Sequence, residues 1–346
     1  MANALSKTSL PHSLIECKLN CLAAQGDNTY SNKLETENGH PVNIFHIDAA
    51  QAGDIDHWHG EDFRKGKYNI AYWAWELPEF PDSWMRFFRY FDEIWTPSQF
   101  VTEAISRKSP IPVLTIPHPI SFQRLTGSNR AKFNLPEDQF LFLFMYDLNS
   151  YQERKNPKAV INAFRKAFQN SSEKVGLVMK VHGIKKNESD FEILKESVKD
   201  LRNVHLVPRT LPRADVYALQ DACDCFVSLH RSEGFGLSVA ESMYLQKPVI
   251  STNWSATSEF VNLENGCPVN YQLIKLEKNH GPYGKGQIWA NPDIEHAAWF
   301  MRKVFEDDVF RDKISKKGRE TMEERYSLQT IGQLYEQRLR AISLWQ

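Results

Sequence analysis

Residues 228–241 have the sequence SLHRSEGFGLSVAE, in which a strand end is followed by a loop with two glycines and the start of a helix. The apolar run Cys225–Leu229 predicts a buried strand, and Leu237–Leu245 predicts the helix. Gly234 and Gly236 allow backbone conformations that other residues resist and let a ligand approach the main chain. The helix N-terminus beyond them presents unpaired N–H groups and a partial positive charge, so the segment predicts an anion site, best suited to phosphate.

Two carboxylates belong to the same segment. Glu233 precedes the glycines, and Glu241 lies about one turn into the helix. An ionised carboxylate accepts two hydrogen bonds side by side, and vicinal sugar hydroxyls are natural donors. The segment would therefore hold a diphosphate between two sugars, with one carboxylate on each. The residues alone leave open a simpler alternative, an exposed Glu233 and a Glu241 that caps the helix or forms a salt bridge.

Short apolar runs alternate with helical patterns along the chain, which is typical of parallel α/β units. Strands are predicted at His12–Glu16, Val42–Ile47, Tyr68–Trp73, Glu93–Thr96, Val113–Ile116, Phe140–Asp147, Val175–Val181, Val204–Val207, Cys225–Leu229 and Pro248–Thr252. The proline-rich segment 117–136 predicts a linker between two domains. The Gly-containing stretch Asn262–Trp289 is expected to be a long irregular loop, either functional or mobile.

The composition is that of a globular protein with room for two domains. The chain has 346 residues and a net charge of −1, which argues against nucleic acid as the main partner. No apolar run approaches the roughly 18 residues that a membrane span needs, and no signal peptide opens the chain, so a cytoplasmic protein is expected. Five cysteines without zinc or redox spacing are predicted to be reduced, and no metal or cofactor is expected.

The segment EGFGLSVAE, in which Glu233 and Glu241 enclose seven residues, resembles the donor-site motif of the retaining glycosyltransferases called family 4. The blocks YWAWELPEFP (72–81), DEIWTPSQF (92–100) and RKNP (154–157) are similar to a bacterial branch of that family, and the likeness covers about residues 40–346. It implies an α/β GT-B fold, with two facing Rossmann-like domains of parallel strands. The expected domains are residues 1–120 on the acceptor side, residues 121–325 for donor binding, and a helix at 326–346 that returns to the first domain.

The resemblance also implies how a nucleotide-sugar donor is held. Glu241 would bind the ribose hydroxyls and Glu233 the hydroxyls of the donor sugar, while N–H groups at Phe235, Gly236 and Leu237 would meet the sugar and the diphosphate. The implied reaction is transfer of a hexose from a UDP- or GDP-sugar to a hydroxyl of a saccharide or lipid-linked saccharide, with retention of configuration, in polysaccharide or lipopolysaccharide assembly. Peripheral membrane contact stays open for such acceptors.

A cation is expected beside the diphosphate, because the leaving group needs charge stabilisation where no metal is bound. Lys155 matches the family's phosphate-binding lysine; the alternative is a solvated lysine at a helix start. The family's usual arginine five residues earlier is absent, since Ser150 stands there. Arg154 is the candidate replacement, although its side chain would come from a different place.

The first domain is expected to hold the acceptor beyond the carboxyl ends of its strands. His46 is a candidate contact to the donor sugar, with a structural histidine as the alternative. Glu76 lies amid aromatic residues and would contact or deprotonate the acceptor hydroxyl, unless it forms a structural salt bridge. Trp73 and Trp75 would either stack on a sugar or fill the core, and the core interpretation is favoured.

The start of the chain departs from the family pattern. Met1–Leu5 predicts the end of a helix and His12–Glu16 predicts a second strand, so the first strand and its Gly-rich loop are expected to be missing and the first domain to be compromised. Two other functions stay open for this reason. One is a nucleotide-sugar-binding protein without activity. The other is a sugar-nucleotide epimerase of the same fold, against which the spacing of the two glutamates argues.

Overall fold

The computed structural model describes residues 1–17, 28–124, 130–168 and 173–343. The chain forms two compact units: unit 1 comprises Met1–Pro119 and Tyr326–Gln346, and unit 2 comprises Ile120–Arg325. Each unit contains its own parallel sheet, which confirms the predicted α/β class. Residues 125–129 of the predicted linker and Cys21 lie outside the described residues. The other four cysteines are free thiols, and none of the described helices is long and apolar enough to cross a bilayer.

Unit 1 is built on four parallel strands in the order β1-β2-β3-β4. The strands are β1 (Val42–His46), β2 (Tyr68–Tyr72), β3 (Glu93–Thr96) and β4 (Val113–Thr115), and the helices are α1 (Ala2–Leu5), α2 (Asp54–His59), α3 (Gln99–Ser106) and α11 (Leu328–Ser343). Ser98 starts α3 because its side chain accepts the N–H of Val101, as an N-cap does. A 3₁₀ helix covers Asp82–Tyr90 between β2 and β3.

The prediction of a strand at His12–Glu16 is wrong. Leu14 makes one isolated parallel bridge, to Leu34, and its neighbours form no ladder. Within the described ranges β1 is therefore the outer strand of the sheet. Ser13, Leu14 and Ile15 are half-buried, so the residues that predicted the strand are partly covered without forming a ladder.

The last helix of the chain belongs to unit 1. Tyr335 of α11 stacks on Trp95 of β3 with ring centroids 5.5 Å apart. Gly332 gives α1 room, since a Cβ there would lie 2.6 Å from the Ala4 carbonyl oxygen. Arg338 forms an ion pair with the fully buried Glu93, whose Oε1 also accepts the Trp95 indole N–H at 2.5 Å. These contacts bind the end of the chain to the sheet of its first third.

Unit 2 is built on six parallel strands in the order β10-β9-β8-β5-β6-β7. The strands are β5 (Phe140–Asp147), β6 (Val175–His182), β7 (Val204–Val207), β8 (Cys225–Ser228), β9 (Val249–Thr252) and β10 (Cys267–Val269). The helices are α4 (Gln152–Lys155), α5 (Pro157–Phe168), α6 (Glu188–Val198), α7 (Arg213–Ala222), α8 (Leu237–Tyr244), α9 (Ile294–Glu306) and α10 (Asp308–Arg325). Because β5, β8 and β9 are neighbours, the loops that follow them meet at one edge of the sheet.

The expectation of an irregular loop over Asn262–Trp289 is wrong in part. The stretch contains β10 and β11 (Tyr271–Lys275), and β11 pairs antiparallel with β12 (Ile288–Pro292) in a separate two-stranded sheet. Several side chains of β11 are exposed, so the hairpin lacks the apolar run that marked the other strands. We call residues 271–292 the hairpin.

Candidate active site

The loop between β8 and α8 has the geometry that its two glycines predicted. Gly236 caps α8 with φ +94°, in the left-handed region. A Cβ at this position would lie 2.4 Å from the Thr257 methyl group, so both the backbone angle and the space require glycine. The first-turn N–H groups of an α-helix have no partner within the helix, and here they follow the loop directly. Leu237, the first residue of α8, is exposed, whereas the Phe235 ring is buried.

Glu233 lies in this loop and is held by two cations from the neighbouring β5 turn. Lys155 Nζ donates to its Oε1 at 2.5 Å, and Arg154 Nη1 lies 3.2 Å from its Oε2. Only 12% of the Glu233 side chain is exposed. Burial opposes ionisation, but the charges of Lys155 and Arg154 outweigh it and lower the pKa of Glu233 to about 2. The carboxylate is thus ionised and available as an acceptor at neutral pH.

The backbone around α4 explains why both cations point to this loop. Asn156 ends α4 in the left-handed conformation, and its side-chain amide donates to the Leu229 carbonyl at the end of β8. The N–H of Arg231 donates to the Arg154 carbonyl at 2.8 Å. The two loops are therefore hydrogen-bonded to each other on both sides of the ion pair. The alternative of a solvated Lys155 is wrong, because its ammonium contacts Glu233 in a site of limited exposure.

Arg154 is buried and does not extend into solvent. Its Nη1 donates to the Ser232 carbonyl at 3.0 Å, and its guanidinium lies over the Tyr283 ring at 5.7 Å from the centroid. These contacts fix it behind Glu233. Arg154 therefore holds the loop and its carboxylate in place, whereas Lys155 is the more accessible of the two cations.

The loop after β9 supports Glu233 from its other side. The Glu233 N–H donates to Ser255 Oγ at 2.9 Å, and the Ala256 N–H donates to the Glu233 carbonyl at 3.2 Å. Ser255 has φ +64°, a conformation that costs a non-glycine residue free energy. The strained turn places its hydroxyl against the loop.

His230 is a site residue that the sequence analysis did not identify. It is fully buried, with Nδ1 3.0 Å from Ser228 Oγ and Nε2 3.0 Å from Thr257 Oγ1. Burial lowers its pKa to about 4, so the ring is neutral at pH 7. His230 connects the end of β8 to the threonine behind Gly236. Its position just after a strand end, beside the glycines, was the one available signal.

Glu241 lies on α8 in a different environment from Glu233. Its side chain is 6% exposed, and Arg213 Nη1 lies 3.5 Å from its Oε1. Burial raises its pKa to about 7, and Arg213 offsets this only in part. The two carboxyls are thus displaced in opposite directions, a pattern that is frequent at functional sites.

The candidates of unit 1 form two groups at the carboxyl ends of its strands. His46 stacks on Tyr72 with centroids 4.7 Å apart, and His118 lies 5.2 Å from the same ring. Desolvation lowers the pKa of His46 and lowers that of His118 to about 3. Glu76 is half-buried. The burial of Asp48, together with the charge of the nearby Glu76, raises the pKa of Asp48.

The tryptophans of the same segment belong to the core. Trp73 and Trp75 are almost fully buried, and the Trp75 indole N–H donates to the Glu79 carbonyl at 2.9 Å. The core interpretation is thereby confirmed for both. In the described part of the chain, no group of three or more His, Cys, Asp or Glu side chains is arranged to hold a metal ion.

Comparison with known proteins gives one family match and many structural neighbours. The family described as glycosyl transferases group 1 matches residues 126–321. The alpha-1,3/1,6-mannosyltransferase ALG2 of Dictyostelium discoideum is 24% identical over 203 residues, which are 55% of this chain and 44% of that protein. The chain thus spans less than half the length of that curated relative.

Solved structures with the same fold include the Anabaena protein Alr3699/HepE in complex with UDP and glucose, with a TM-score of 0.62 and 16% identity over 82% of this chain and 74% of that one. Sucrose-phosphate synthase from Thermosynechococcus elongatus has a TM-score of 0.66 and 15% identity, over 92% of this chain and 76% of that one. A glycosyltransferase from Rickettsia africae has a TM-score of 0.65 and 15% identity, over 87% and 76%. These likenesses show the GT-B fold.

Proposed function

The chain belongs to the glycosyl transferases group 1 family, and from this premise we propose that it transfers a hexose from a nucleotide-diphosphate sugar to a saccharide hydroxyl, with retention of configuration. The observation that carries the proposal is the cluster of Glu233, Lys155 and Arg154 beside the N-terminus of α8. An ionised acceptor, an accessible cation and the N–H groups of a helix N-terminus are what the hydroxyls and diphosphate of such a donor require. The spacing of Glu233 and Glu241 supports placement in the family 4 branch.

In the proposed donor complex the sugar hydroxyls donate to Glu233 and the diphosphate lies against the start of α8, near the N–H groups of Phe235, Gly236 and Leu237. Lys155 then shares its charge between Glu233 and the phosphate oxygens. Arg154 stays behind the carboxylate and keeps it ionised. Because Gly234 and Gly236 carry no side chains, the backbone allows this close approach.

Glu241 is the proposed partner of the ribose hydroxyls. Hydroxyl donors favour the ionised carboxylate, so nucleotide binding would lower the raised pKa of Glu241. UDP is the first nucleotide to test, since the structural neighbour HepE is described with UDP. A GDP-sugar remains the alternative donor.

The proposed chemical step keeps the acceptor on the face that the leaving group occupied. The acceptor oxygen bonds to the anomeric carbon, the bond from that carbon to the phosphate oxygen breaks, and the acceptor proton passes to the departing diphosphate. Lys155 and the helix N-terminus stabilise the charge on the diphosphate. His46 and Glu76 of unit 1 are the proposed contacts to the sugar and to the acceptor hydroxyl, and polysaccharide assembly is the proposed setting.

The test is thermal unfolding with UDP, GDP, ADP and their sugars, in the wild-type chain and in Glu241→Ala. A ligand at about 100 times its dissociation constant adds roughly 2.7 kcal/mol to the stability of the folded state. We expect one nucleotide family to stabilise the wild-type protein and not Glu241→Ala, with the exposed Glu264→Ala as the control that keeps the response.

Activity is then measured with the nucleotide that binds. Released nucleotide diphosphate, with or without an added saccharide, indicates transfer or slow donor hydrolysis. Binding without any release would leave a nucleotide-sugar-binding protein, and conversion of the donor sugar without release would indicate an epimerase. No stabilisation by any nucleotide would refute the donor site itself.

A further inference from the structure

Unit 2 contains a cavity of about 640 Å³ that is separate from the residues proposed to bind the donor. Its lining comes from the hairpin, which includes Trp289, from α4 and the start of α5, and from Arg231. Neither Lys155 nor Glu233 nor Glu241 is among its lining residues. A volume in this range suits a small organic ligand of one to a few rings.

The charged groups around the cavity are mainly cations. Lys158, Arg231, Lys275 and Lys278 line it, against Glu153 and Glu277. In the described part of the chain, none of the three lysines has a carboxylate within 4.0 Å. Such unneutralised ammonium groups favour an anion between them.

Arg231 lines the cavity and is held in place there. Its Nη1 donates to Asn291 Oδ1 at 3.0 Å, and its guanidinium lies over the Trp289 ring at 5.5 Å from the centroid. Desolvation lowers its pKa, which reflects a cation that is partly removed from water. An anion bound here would recover part of the lost solvation.

The remaining lining is suited to a sugar ring. Ile274, Leu276 and Pro157 supply apolar surface, and Gln152 supplies an amide. The Glu153 carboxylate lies 3.5 Å from the ring nitrogen Nδ1 of His280 and can also accept hydroxyl donors. The 12-residue helix α5 begins at this wall, and its N-terminal partial charge adds to the positive field.

We propose that the hairpin cavity binds an acidic saccharide, with the anionic group between Arg231 and the lysines and the sugar ring on the apolar wall. The anionic group is a carboxylate or a phosphate attached to a hexose. The side chains of this site differ from those proposed to bind the donor. It gives the hairpin a role that the parallel sheet of unit 2 does not explain.

The experiment titrates the full chain with four probes: methyl glucuronide, glucose 6-phosphate, the neutral methyl glucoside, and inorganic phosphate. Binding is measured by calorimetry at low salt. We expect at least one anionic sugar to bind at least tenfold more tightly than methyl glucoside and than inorganic phosphate. Whether the carboxylate or the phosphate sugar binds more tightly identifies the anionic group.

Variants locate the site. Lys275→Glu combined with Lys278→Glu is expected to weaken binding of the anionic sugar at least tenfold. Lys285→Glu, on the same hairpin but not lining the cavity, is the matched control and keeps the affinity. All three lysines are exposed, so equal melting temperatures without ligand are expected and verify that the variants fold.

Three results would overturn the proposal. Equal affinity for methyl glucoside and the anionic sugars would show that charge plays no part in binding. Binding of inorganic phosphate as tightly as the anionic sugars would show a simple anion site rather than a saccharide site. Retention of the affinity in the double variant would place the ligand elsewhere. Lys155→Ala, which alters the proposed donor site, is expected to leave this binding unchanged, so the failure of one site is distinguishable from that of the other.

Discussion

Replacing Glu241 by glutamine is expected to stabilise the protein at high pH. Burial raises the pKa of this carboxyl from 4.5 to about 7, and the mostly exposed Arg213 does not compensate. The folded state holds the proton more tightly than the unfolded state, so stability falls as the pH rises from about 4.5 to 7. At about 1.4 kcal/mol per pH unit, the ionised form costs the folded protein about 3 kcal/mol above pH 7.

Denaturant unfolding at pH 5 and pH 8 measures this cost. Glu241→Gln removes the titrating group and keeps its shape, so we expect it to exceed the wild-type protein in stability by up to about 3 kcal/mol at pH 8 and by less than about 1 kcal/mol at pH 5. Glu264→Gln, at an exposed position, is the control and is expected to show no such difference. A stability difference between Glu241→Gln and the wild-type protein that is the same at both pH values would refute the reasoning. A variant less stable than the wild-type protein at pH 8 would also refute it.

The same carboxyl connects stability to the proposed function. If ribose hydroxyls bind the ionised Glu241, nucleotide binding at pH 6.5 releases protons, because the bound state lowers the pKa. Calorimetry in two buffers of different ionisation enthalpy detects this release. We expect it in the wild-type protein, and its absence there would contradict the assigned role of Glu241.

Three further predictions follow from the packing and the proposed chemistry. Gly236→Ala is expected to destabilise the protein by about 2–5 kcal/mol in denaturant unfolding, from backbone strain and overlap with the Thr257 methyl group. Adding Thr257→Ser removes that methyl group and should recover the part of the loss that comes from overlap. A double variant no more stable than Gly236→Ala would contradict the overlap. Arg338→Met is expected to lower the free energy of unfolding by about 3–5 kcal/mol, because it leaves the buried Glu93 without its cation. Adding Glu93→Gln to Arg338→Met should recover part of that loss. Equal stability of the single and double variants would argue against the ion pair. Transfer activity is expected to persist in excess EDTA, because the proposal assigns stabilisation of the leaving group to protein cations and N–H groups; a loss restored by added divalent metal would disprove that assignment.

The local sequence was enough to predict the strands that have continuous apolar runs and the turn that requires glycine. The apolar runs of β5, β6 and β8 are buried on both sides, and such strands are recognisable without knowing their partners. The turn at Gly236 was also predictable without knowing its neighbours, because the role of this glycine follows from its missing Cβ. The strand predicted at His12–Glu16 is wrong because a ladder needs a paired neighbour, which a short apolar run does not by itself supply. The hairpin escaped prediction because β11 is largely exposed, and Gln272 and Lys275 interrupt its apolar residues.

The tertiary structure decided which polar groups meet. Lys155 and Glu233 are 78 residues apart, and they form an ion pair because β5 and β8 are adjacent in the sheet. The roles of His230 and Thr257 likewise depend on the loops after β8 and β9 lying side by side. The opposite pKa displacements of Glu233 and Glu241 have the same origin, since cations surround one carboxyl and mainly burial acts on the other. Residue types and spacing therefore determined that two carboxylates and a glycine turn share one segment. Strand order decided the ionisation of the two carboxylates, because electrostatic energy depends on distance and desolvation in space rather than on position along the chain.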